Sequence, residues 1–225
     1  MGRPLPSDTR RRLLEAAVAL FVEGGFHRTT ARDVAERAGV NLAAANYHFG
    51  SKKALYLEVL REQFAAIRAE LVRRGAALPP RARLRRLPRA ELEALLAARV
   101  RTMAQLMIGP PPSVHSTLMQ RELTDPSEAL PTIVEEFMRP MKGEIVELVA
   151  ALAPELDRGS VERAAHAVMG QLVFYRVARP ALLEMLGRDE LPRGTADAVA
   201  EQVIRFSLGG LDGLVRERKG GRRAG

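Results

Sequence analysis

The sequence contains no cysteine and no long uninterrupted apolar run. Without cysteine, neither a disulfide framework nor a thiolate metal site is available, which fits a reducing compartment such as the cytoplasm. No stretch reaches the roughly 18 apolar residues that span a bilayer, and Glu15 interrupts the apolar N-terminal stretch where a secretory signal would need its core. These absences predict a cytoplasmic protein that does not enter a membrane.

Histidine is scarce, and the motifs of common enzymes are missing. The four histidines, His27, His48, His115 and His166, are scattered without metal-ligand spacing. HExxH, P-loop and GxSxG motifs are absent, and the glycine-rich segment GGLDGL at 209–214 follows no strand pattern. The sequence therefore predicts a protein that is not an enzyme, with no catalytic residue, no metal site and no cofactor.

Basic residues exceed acidic ones, and the formal net charge is +8. Such a balance favours a polyanionic partner, of which nucleic acid is the commonest. The excess is uneven, since seven arginines and no acid fall between Arg73 and Arg89. This arginine run is either a solvated loop between helices or a phosphate-binding strip, and the sequence leaves both interpretations open.

Apolar residues recur at helical spacing along the chain, and no β-alternation of useful length or internal repeat is present. Glycines divide the first part: Gly24 and Gly25 end one predicted helix, Gly39 a second and Gly50 a third, before a long helix begins at Lys52. Further helices are predicted at about 89–108, 113–124, 127–152, 160–187 and 195–217. We expect an all-α fold.

Prolines and composition suggest how these helices are organised. Pro131, Pro140 and Pro180 fall inside predicted helices, so each should kink or split its helix. Two domains are predicted, a three-helix unit at about 1–60 and a larger helical body at 61–225. The glycine- and arginine-rich tail from about 217 to 225 is expected to be disordered.

The second and third helices are joined by a tight turn at 38–41, an arrangement that matches the helix-turn-helix, whose second helix enters the DNA major groove. Gly39 gives the turn its backbone freedom, and Asn41 can cap the next helix. In that helix, LAAANYHF, small alanines let the axis approach base edges, and Asn46 suits the N6 and N7 edge of adenine. The plainer alternative is that Asn46 and His48 only solvate a surface helix.

The stretch TARDVAERAGVNLAAANYHFGSKKALYLEVL, preceded by LLEAAVALFVEGGF, resembles the DNA-binding domain of TetR-family transcriptional regulators over about residues 11–60. Within it, VNLAAANYHFGSKKAL is similar to the PsrA-like members. Many family members carry tyrosine where Asn46 stands, so the resemblance does not give the operator sequence. It implies DNA contacts from Thr30, Arg32, Asn41, Leu42, Ala43, Ala44, Asn46, Tyr47, His48 and Lys52.

Two C-terminal segments carry apolar residues at steps of three or four. They are Val161, Ala165, Val168, Leu172 and Tyr175 in one, and Ala196, Val199, Val203, Phe206, Gly210 and Leu214 in the other. A pair of these helices from each of two subunits would form a four-helix interface, as the family resemblance also implies. The alternative is that both are core helices of a monomer.

The segments MQRELTDPSEALPTIVEEFMRPM and GQLVFYRVARPALL resemble, more loosely, the C-terminal domain of the CecR-like branch of the same family. The family resemblance implies a small-molecule pocket, which flexible apolar side chains and a few polar groups would suit. The candidate lining is Met103, Met107, His115, Arg121, Phe137, Met141, His166, Met169, Gln171, Phe174 and Tyr175. Core packing and an internal salt bridge of Arg121 or Arg176 are the plainer alternatives.

These expectations combine into one hypothesis: a dimeric transcriptional repressor that binds double-stranded DNA at a palindromic operator and is released by a small-molecule effector. An activator role stays open because the position of the operator decides the sign of regulation. Two other classes remain as alternatives, a small-molecule binding protein without specific DNA function and a non-specific architectural DNA binder driven by the +8 charge.

Overall fold

A computed structural model describes residues 6–109 and 113–221, and over these residues it contains helices and no strand. None of the described helices is long and apolar enough to cross a bilayer. The elements are α1 (Pro6–Arg28), α2 (Ala31–Arg37), α3 (Leu42–Phe49), α4 (Lys52–Arg73), α5 (Arg81–Leu84), α6 (Arg89–Ile108), α7 (Val114–Thr124), α8 (Leu130–Ile133), a π-helical turn (Val134–Met138), α9 (Arg139–Leu152), α10 (Arg158–Val177), α11 (Arg179–Leu186) and α12 (Thr195–Gly221). The predicted all-α class is confirmed.

The helices form two compact units. Unit 1 comprises Met1–Ile67 and Val114–Phe137 in their described residues, and unit 2 comprises Arg68–Ser113 and Met138–Gly225 in theirs. The segment 114–137, which the sequence analysis placed in the C-terminal body, therefore packs in one unit with the first three helices. The long helix α4 contributes residues to both units.

Three buried aromatic side chains form the centre of unit 1. Phe21 and Phe26 of α1 lie with ring centroids 4.8 and 5.2 Å from that of Tyr56 on α4. Burial raises the pKa of Tyr56 far above its usual value, and the charge of buried Glu122 of α7 acts in the same direction. One aromatic cluster and one buried polar contact thus hold α1, α4 and α7 together.

The end of α1 depends on a glycine. Gly25 has φ 73° and ψ −178°, a conformation essentially restricted to glycine, and it breaks the helix as the sequence predicted. Arg121 of α7 donates from Nη2 to the carbonyls of Val22 and Glu23, both at 2.9 Å. These carbonyls lie in the last turn before the break, so a guanidinium from a distant helix satisfies acceptors that the helix itself leaves open.

The prolines divide the predicted helices 127–152 and 160–187. Pro131, Pro140 and Pro180 occupy the first or second positions of α8, α9 and α11. A proline is tolerated at such positions because the first N–H groups of a helix have no partner inside the helix. Between α8 and α9 the chain makes the π-helical turn Val134–Met138, a feature that helical periodicity did not reveal.

The core of unit 2 is formed by α6, α9, α10 and α12. Its fully buried members include Leu96, Ala104, Leu148, Ala165 and Ala200. Most residues of the apolar stripes that were expected to form a dimer interface belong to this core, whereas Phe206, Gly210 and Leu214 of the second stripe are exposed. Buried stripe residues are Val161, Ala165, Val168, Leu172, Ala196, Val199 and Val203.

The expected disordered tail needs a correction. Residues 217–221 are the last residues of α12, and residues 222–225 lie outside the described residues. Two ion pairs anchor this part of the helix: Arg218 lies 2.6 Å from Asp157, and Lys219 lies 2.8 Å from Glu155. A basic composition therefore does not leave these residues unpaired.

The arginine run between Arg73 and Arg89 is largely neutralised within unit 2. Five of its seven arginines pair with carboxylates: Arg73 and Arg74 with Glu70, Arg81 and Arg85 with Glu147, and Arg89 with Glu93. Arg73 and Arg74 together hold the pKa of Glu70 at about 2. The pairing favours the solvated-surface interpretation over a phosphate-binding strip.

We expect Gly25→Ala to lower the free energy of unfolding by about 1–3 kcal/mol, because an alanine cannot adopt this backbone conformation without strain. Its Cβ would also lie 3.4 Å from Arg121 Cδ. The adjacent variant Gly24→Ala is the control: its Cβ would meet ordinary contacts of 3.4 Å or more in a helical backbone, and stability should stay equal or rise by up to about 1 kcal/mol. Urea unfolding of both variants tests this, and equal stabilities would contradict it.

Candidate DNA-binding surface

A reciprocal cap fixes the start of α2. Thr30 Oγ1 accepts from the N–H of Asp33 at 3.1 Å, and Asp33 Oδ2 accepts from the N–H of Thr30 at 2.8 Å. The hydrogen bonds from Thr30, above all that from its backbone N–H, lower the pKa of Asp33. Val34 and Ala35 are buried, which leaves Arg32 exposed on the opposite side of α2. The helix is thus held on the core with Arg32 facing outwards.

An arginine from α1 holds the turn between α2 and α3. Arg12 Nη2 donates to the carbonyl of Ala38 and, at 3.2 Å, to that of Gly39. Gly39 has φ 64°, and a Cβ there would lie 2.6 Å from the same nitrogen. The glycine was expected from the sequence but Arg12 was not, because no spacing rule links a turn to a side chain 26 residues earlier in the chain.

Helix α3 is short and presents a polar outer face. Asn41 Oδ1 accepts from the N–H of Ala44 at 2.8 Å, which confirms the predicted cap. Ala45 is buried, with 4% of its surface exposed, whereas Tyr47 is 85% exposed. Asn46 is exposed beside Tyr47. The helix therefore rests on Ala45 and directs its amide and phenol towards solvent.

The structure places most of the predicted DNA-contacting residues on accessible surface of unit 1. The exposed ones are Thr30, Arg32, Asn41, Leu42, Ala43, Asn46 and Tyr47, and the half-buried ones are Ala44, His48 and Lys52. They belong to α2, α3, the two helix caps and the first residue of α4. An accessible short helix with a neighbouring helix start is the arrangement that fits a major groove and its flanking phosphates.

Lys52 has a structural role in addition to the predicted one. Its Nζ donates to the carbonyl of Phe26 at 3.1 Å and lies 4.0 Å from the centroid of the Phe26 ring. An ammonium has three donors, so these contacts leave N–H groups for a phosphate oxygen. The phosphate contact stays a prediction, and the contact with Phe26 is a partner that the sequence did not indicate.

The predicted pocket residues divide between the two units. His115, Arg121 and Phe137 lie in unit 1, and the other eight lie in unit 2, so neither unit contains the whole predicted lining. Within unit 2, His166 is exposed, and Met103, Met107, Met141 and Met169 are half-buried. The structure therefore brings together only part of the predicted pocket lining.

Two cavities of unit 2 offer space for a small molecule. One, of about 370 Å³, is lined by Gln171, Phe174 and Tyr175 of the predicted set together with Val199 and Val203. The other, of about 590 Å³, contains none of the predicted residues. Its lining includes Leu78, Leu87 and Leu95 with Arg83 and Glu91. This second cavity was not expected from the sequence, because its apolar residues come from the loops on either side of α5 and from α6 and share no motif.

His115 is packed among aromatic rings in unit 1. It is 7% exposed, its ring centroid lies 4.5 Å from that of Phe64 in an edge-on contact, and Phe64 stacks on Phe137 at 4.2 Å. Nδ1 of His115 has no hydrogen-bond partner among the described residues, and burial lowers the pKa of this histidine to about 4. Arg121, from the same predicted set, is engaged with α1 carbonyls rather than in a salt bridge with Glu122.

Comparison with known proteins identifies the family. The model "Bacterial regulatory proteins, tetR family" matches residues 13–59, and the model "HTH-type transcriptional dual regulator CecR, C-terminal domain" matches residues 92–211, a little over half of the chain. The chain belongs to the TetR family of bacterial transcriptional regulators. Its members regulate transcription and are not enzymes, and the recognised resemblance to the family and to its CecR-like branch is confirmed.

Individual relatives show which part of the chain is shared. The HTH-type transcriptional dual regulator CecR of Shigella flexneri is 28% identical over 188 residues, which cover 80% of this chain and 81% of that protein. The HTH-type transcriptional activator FasR of Mycolicibacterium smegmatis is 46% identical over 61 residues, only 27% of this chain and 28% of that protein. The FasR similarity therefore concerns one short region, whereas the CecR similarity extends through most of the chain.

A solved structure shares the fold. A TetR-like transcriptional regulator from Rhodococcus sp. RHA1 superposes with a TM-score of 0.60 at 20% identity, covering 95% of this chain and 99% of that chain. At this identity the likeness establishes the fold and not the ligand. The family models, and not this structural likeness, show that the chain is a transcriptional regulator.

Protonation of His115 should destabilise the protein as the pH falls. Its folded pKa of about 4 lies below the ordinary value of 6.5, so the unfolded chain binds more protons between these values. The free energy of unfolding should therefore fall by about 2 kcal/mol between pH 7 and pH 5. Urea titrations at both pH values measure the loss, and the control His115→Phe should lose about 2 kcal/mol less over the same interval. If wild type and His115→Phe lost the same unfolding free energy over this interval, protonation of His115 would not be the cause.

Proposed function

We propose that this regulator binds a palindromic double-stranded DNA operator as a homodimer in the cytoplasm, represses transcription, and is released by a small-molecule effector. The observation that carries the proposal is the outer face of α3. It exposes Asn46 and Tyr47 on a helix that is capped by Asn41 and anchored by Ala45. A neutral, hydrogen-bonding face on an accessible helix suits the reading of base edges rather than charge attraction alone.

In this proposal α3 enters the major groove. Asn46 meets adenine through its amide, a bidentate contact worth about 1–3 kcal/mol of discrimination. Methyl groups of Leu42, Ala43 or Ala44 contact thymine methyls, and Arg32 reaches a base from α2. The helix starts at Thr30 and Asn41, with Tyr47, His48 and Lys52, hold the phosphates.

The dimer is proposed from exposed apolar side chains of unit 2. Phe174 on α10, Met185 and Leu186 on α11, and Phe206 and Leu214 on α12 are between 41% and 81% exposed. Large exposed apolar side chains grouped on consecutive helices mark an interaction surface. A second copy of the chain fits because an isologous contact presents the same apolar helices from both partners. Two α3 helices would then read half-sites about 34–36 Å apart.

An effector is proposed to bind unit 2 and to favour a dimer whose α3 helices no longer match the operator. The two cavities of about 370 and 590 Å³ are the candidate sites. By linkage, operator binding must weaken effector binding by the same factor. The sign of regulation depends on the operator position, and the similar proteins include one named a dual regulator and one named an activator.

The charge-driven alternative receives less support from the structure. A non-specific DNA binder needs unpaired basic side chains, yet the densest arginine run pairs five of its seven members with carboxylates. The sequestering alternative, without DNA function, does not explain why α3 carries exposed Leu42, Asn46 and Tyr47.

Asn46→Ala tests the base-reading role. We expect it to weaken binding to the selected operator by about 10-fold or more, because each half-site loses a contact worth about 1–3 kcal/mol. Binding to scrambled DNA and the salt dependence of binding should stay unchanged, since no phosphate contact is lost. Gln63→Ala is the control, because it removes a side-chain amide from α4 in the same unit. Equal affinities of Asn46→Ala and Gln63→Ala for the operator would refute the assignment.

Phe206→Glu tests the proposed dimer surface. The variant should be a monomer by light scattering and bind the palindrome about 100-fold more weakly, since the second half-site no longer adds to the first. Val72→Glu is the matched control, because Val72 and Phe206 both belong to unit 2 and are both 66% exposed. If Phe206→Glu stays dimeric, or if both variants dissociate alike, this surface is not the interface.

A further inference from the structure

The C-terminal end of α3 contacts a charged side chain of α1. The guanidinium carbon of Arg10 lies 5.5 Å from the centroid of the Phe49 ring, and Phe49 is the last residue of α3. The same guanidinium forms an ion pair with Glu58 of α4. A cation placed over a ring face is attracted by the ring quadrupole, so the position of Arg10 influences where Phe49 lies.

The charges continue from Glu58 along α4 to the π-helical turn. Arg61 lies 3.4 Å from Glu58 Oε2 through its Nη1. Its Nε and Nη2 also donate to the two carboxylate oxygens of Glu136, at 3.1 and 3.0 Å. Arg10, Glu58, Arg61 and Glu136 thus alternate in sign without a gap, and we call these four residues the charge ladder. The bidentate contact at Glu136 fixes distance and direction together.

Two consecutive residues of the π-helical turn contact α4. Glu136 binds Arg61, and the next residue, Phe137, stacks on Phe64 one helical turn further along α4 at 4.2 Å. A π turn holds one residue more than an α turn, so its conversion to α geometry would change which side chains face α4. A rearrangement of residues 134–138 would therefore break or shift both contacts.

Helix α3 depends on such external support. It has eight residues, of which Ala45 is the buried one. Asn41 and Arg12 fix its N-terminal end and the preceding turn, while Phe49 ends it next to Arg10. A small displacement at Phe49 would tilt the helix about its fixed start and move Asn46 relative to the bases.

We propose that the charge ladder is a positioning device that links the conformation of the π-helical turn to the orientation of the recognition helix, with Arg10 as the positioning residue at Phe49. The inference rests on the proposed role of α3 in reading DNA. Surface ion pairs add little to stability. We therefore expect the charge ladder to affect the orientation of α3 and not the free energy of unfolding.

Glu136→Gln is the first test, with Glu23→Gln as its matched control. Glu23 forms a bidentate pair with Arg37 in the same unit, at 2.9 and 2.9 Å, and both substitutions raise the net charge by one. We expect Glu136→Gln to reduce the affinity ratio of selected over scrambled DNA by about fivefold or more, the lower end of typical couplings. It should also shift the backbone amide signals of 46–49 in the DNA-free protein, whereas Glu23→Gln should do neither.

A double-mutant cycle distinguishes a ladder from independent contacts. If the influence of Glu136 passes through Arg10, Glu136→Gln should have no further effect on the affinity ratio or the amide shifts in an Arg10→Gln background. The proposal would be overturned if the losses in affinity ratio of the two single variants were additive. It would also be overturned if Glu136→Gln did not shift the amide signals of α3. The amide shifts test the ladder even if no operator is found. An operator bound equally by wild type and Glu136→Gln would reject the ladder and leave the proposed function intact.

Discussion

The recognition helix α3 cannot hold its own position, and this constraint organises unit 1. A helix of eight residues is too short to be stable alone in water, where about 12–15 residues are needed, and only Ala45 is deeply buried. Its position must come from neighbouring elements. Asn41 closes the first turn, Arg12 holds the preceding turn, and Arg10 contacts the last ring, so both ends are held from outside while Asn46 and Tyr47 stay exposed.

The elements that fix α3 are themselves tied to the segment 114–137. Arg121 binds the last carbonyls of α1, the charge of Glu122 acts on Tyr56 of the aromatic core, and Glu136 binds Arg61 of α4. The whole of this segment falls within residues 92–211, which the CecR C-terminal model matches, yet it packs in the unit that carries the helix-turn-helix. The boundary between the two family models and the boundary between the compact units therefore differ, and side chains of 114–137 contact α1 and α4, the helices next to α3.

Local features of the fold were predictable from the sequence, and long-range partners were not. The caps at Thr30 and Asn41, the break at Gly25 and the splitting at Pro180 follow from rules about neighbouring residues. The class and the family followed from periodicity and from a motif of about 50 residues. The predictions that were wrong, and the features that the sequence did not reveal, depend on contacts between distant residues.

The candidate sites show the same division. The accessible face of α3 was predicted because exposure on a short capped helix is a local property. The assignment of His115 and Arg121 to a ligand pocket had no such basis, because whether a polar residue lines a cavity or packs against another helix depends on tertiary contacts. The tail residues Arg218 and Lys219 were expected to be disordered because their acidic partners lie some 60 residues away in the sequence, as the Arg218–Asp157 pair shows with a separation of 61.

Selection of bound sequences from a random DNA pool is the most direct test of whether α3 reads a specific palindrome. The winning sequence and a scrambled control should then be titrated at two salt concentrations. If α3 reads bases, we expect a two-fold symmetric consensus that is bound about 1,000-fold or more tightly than the scrambled DNA, with the preference retained at the higher salt. If no consensus emerges, and both DNAs lose affinity together as salt rises, binding is driven by charge alone and α3 does not read a specific sequence.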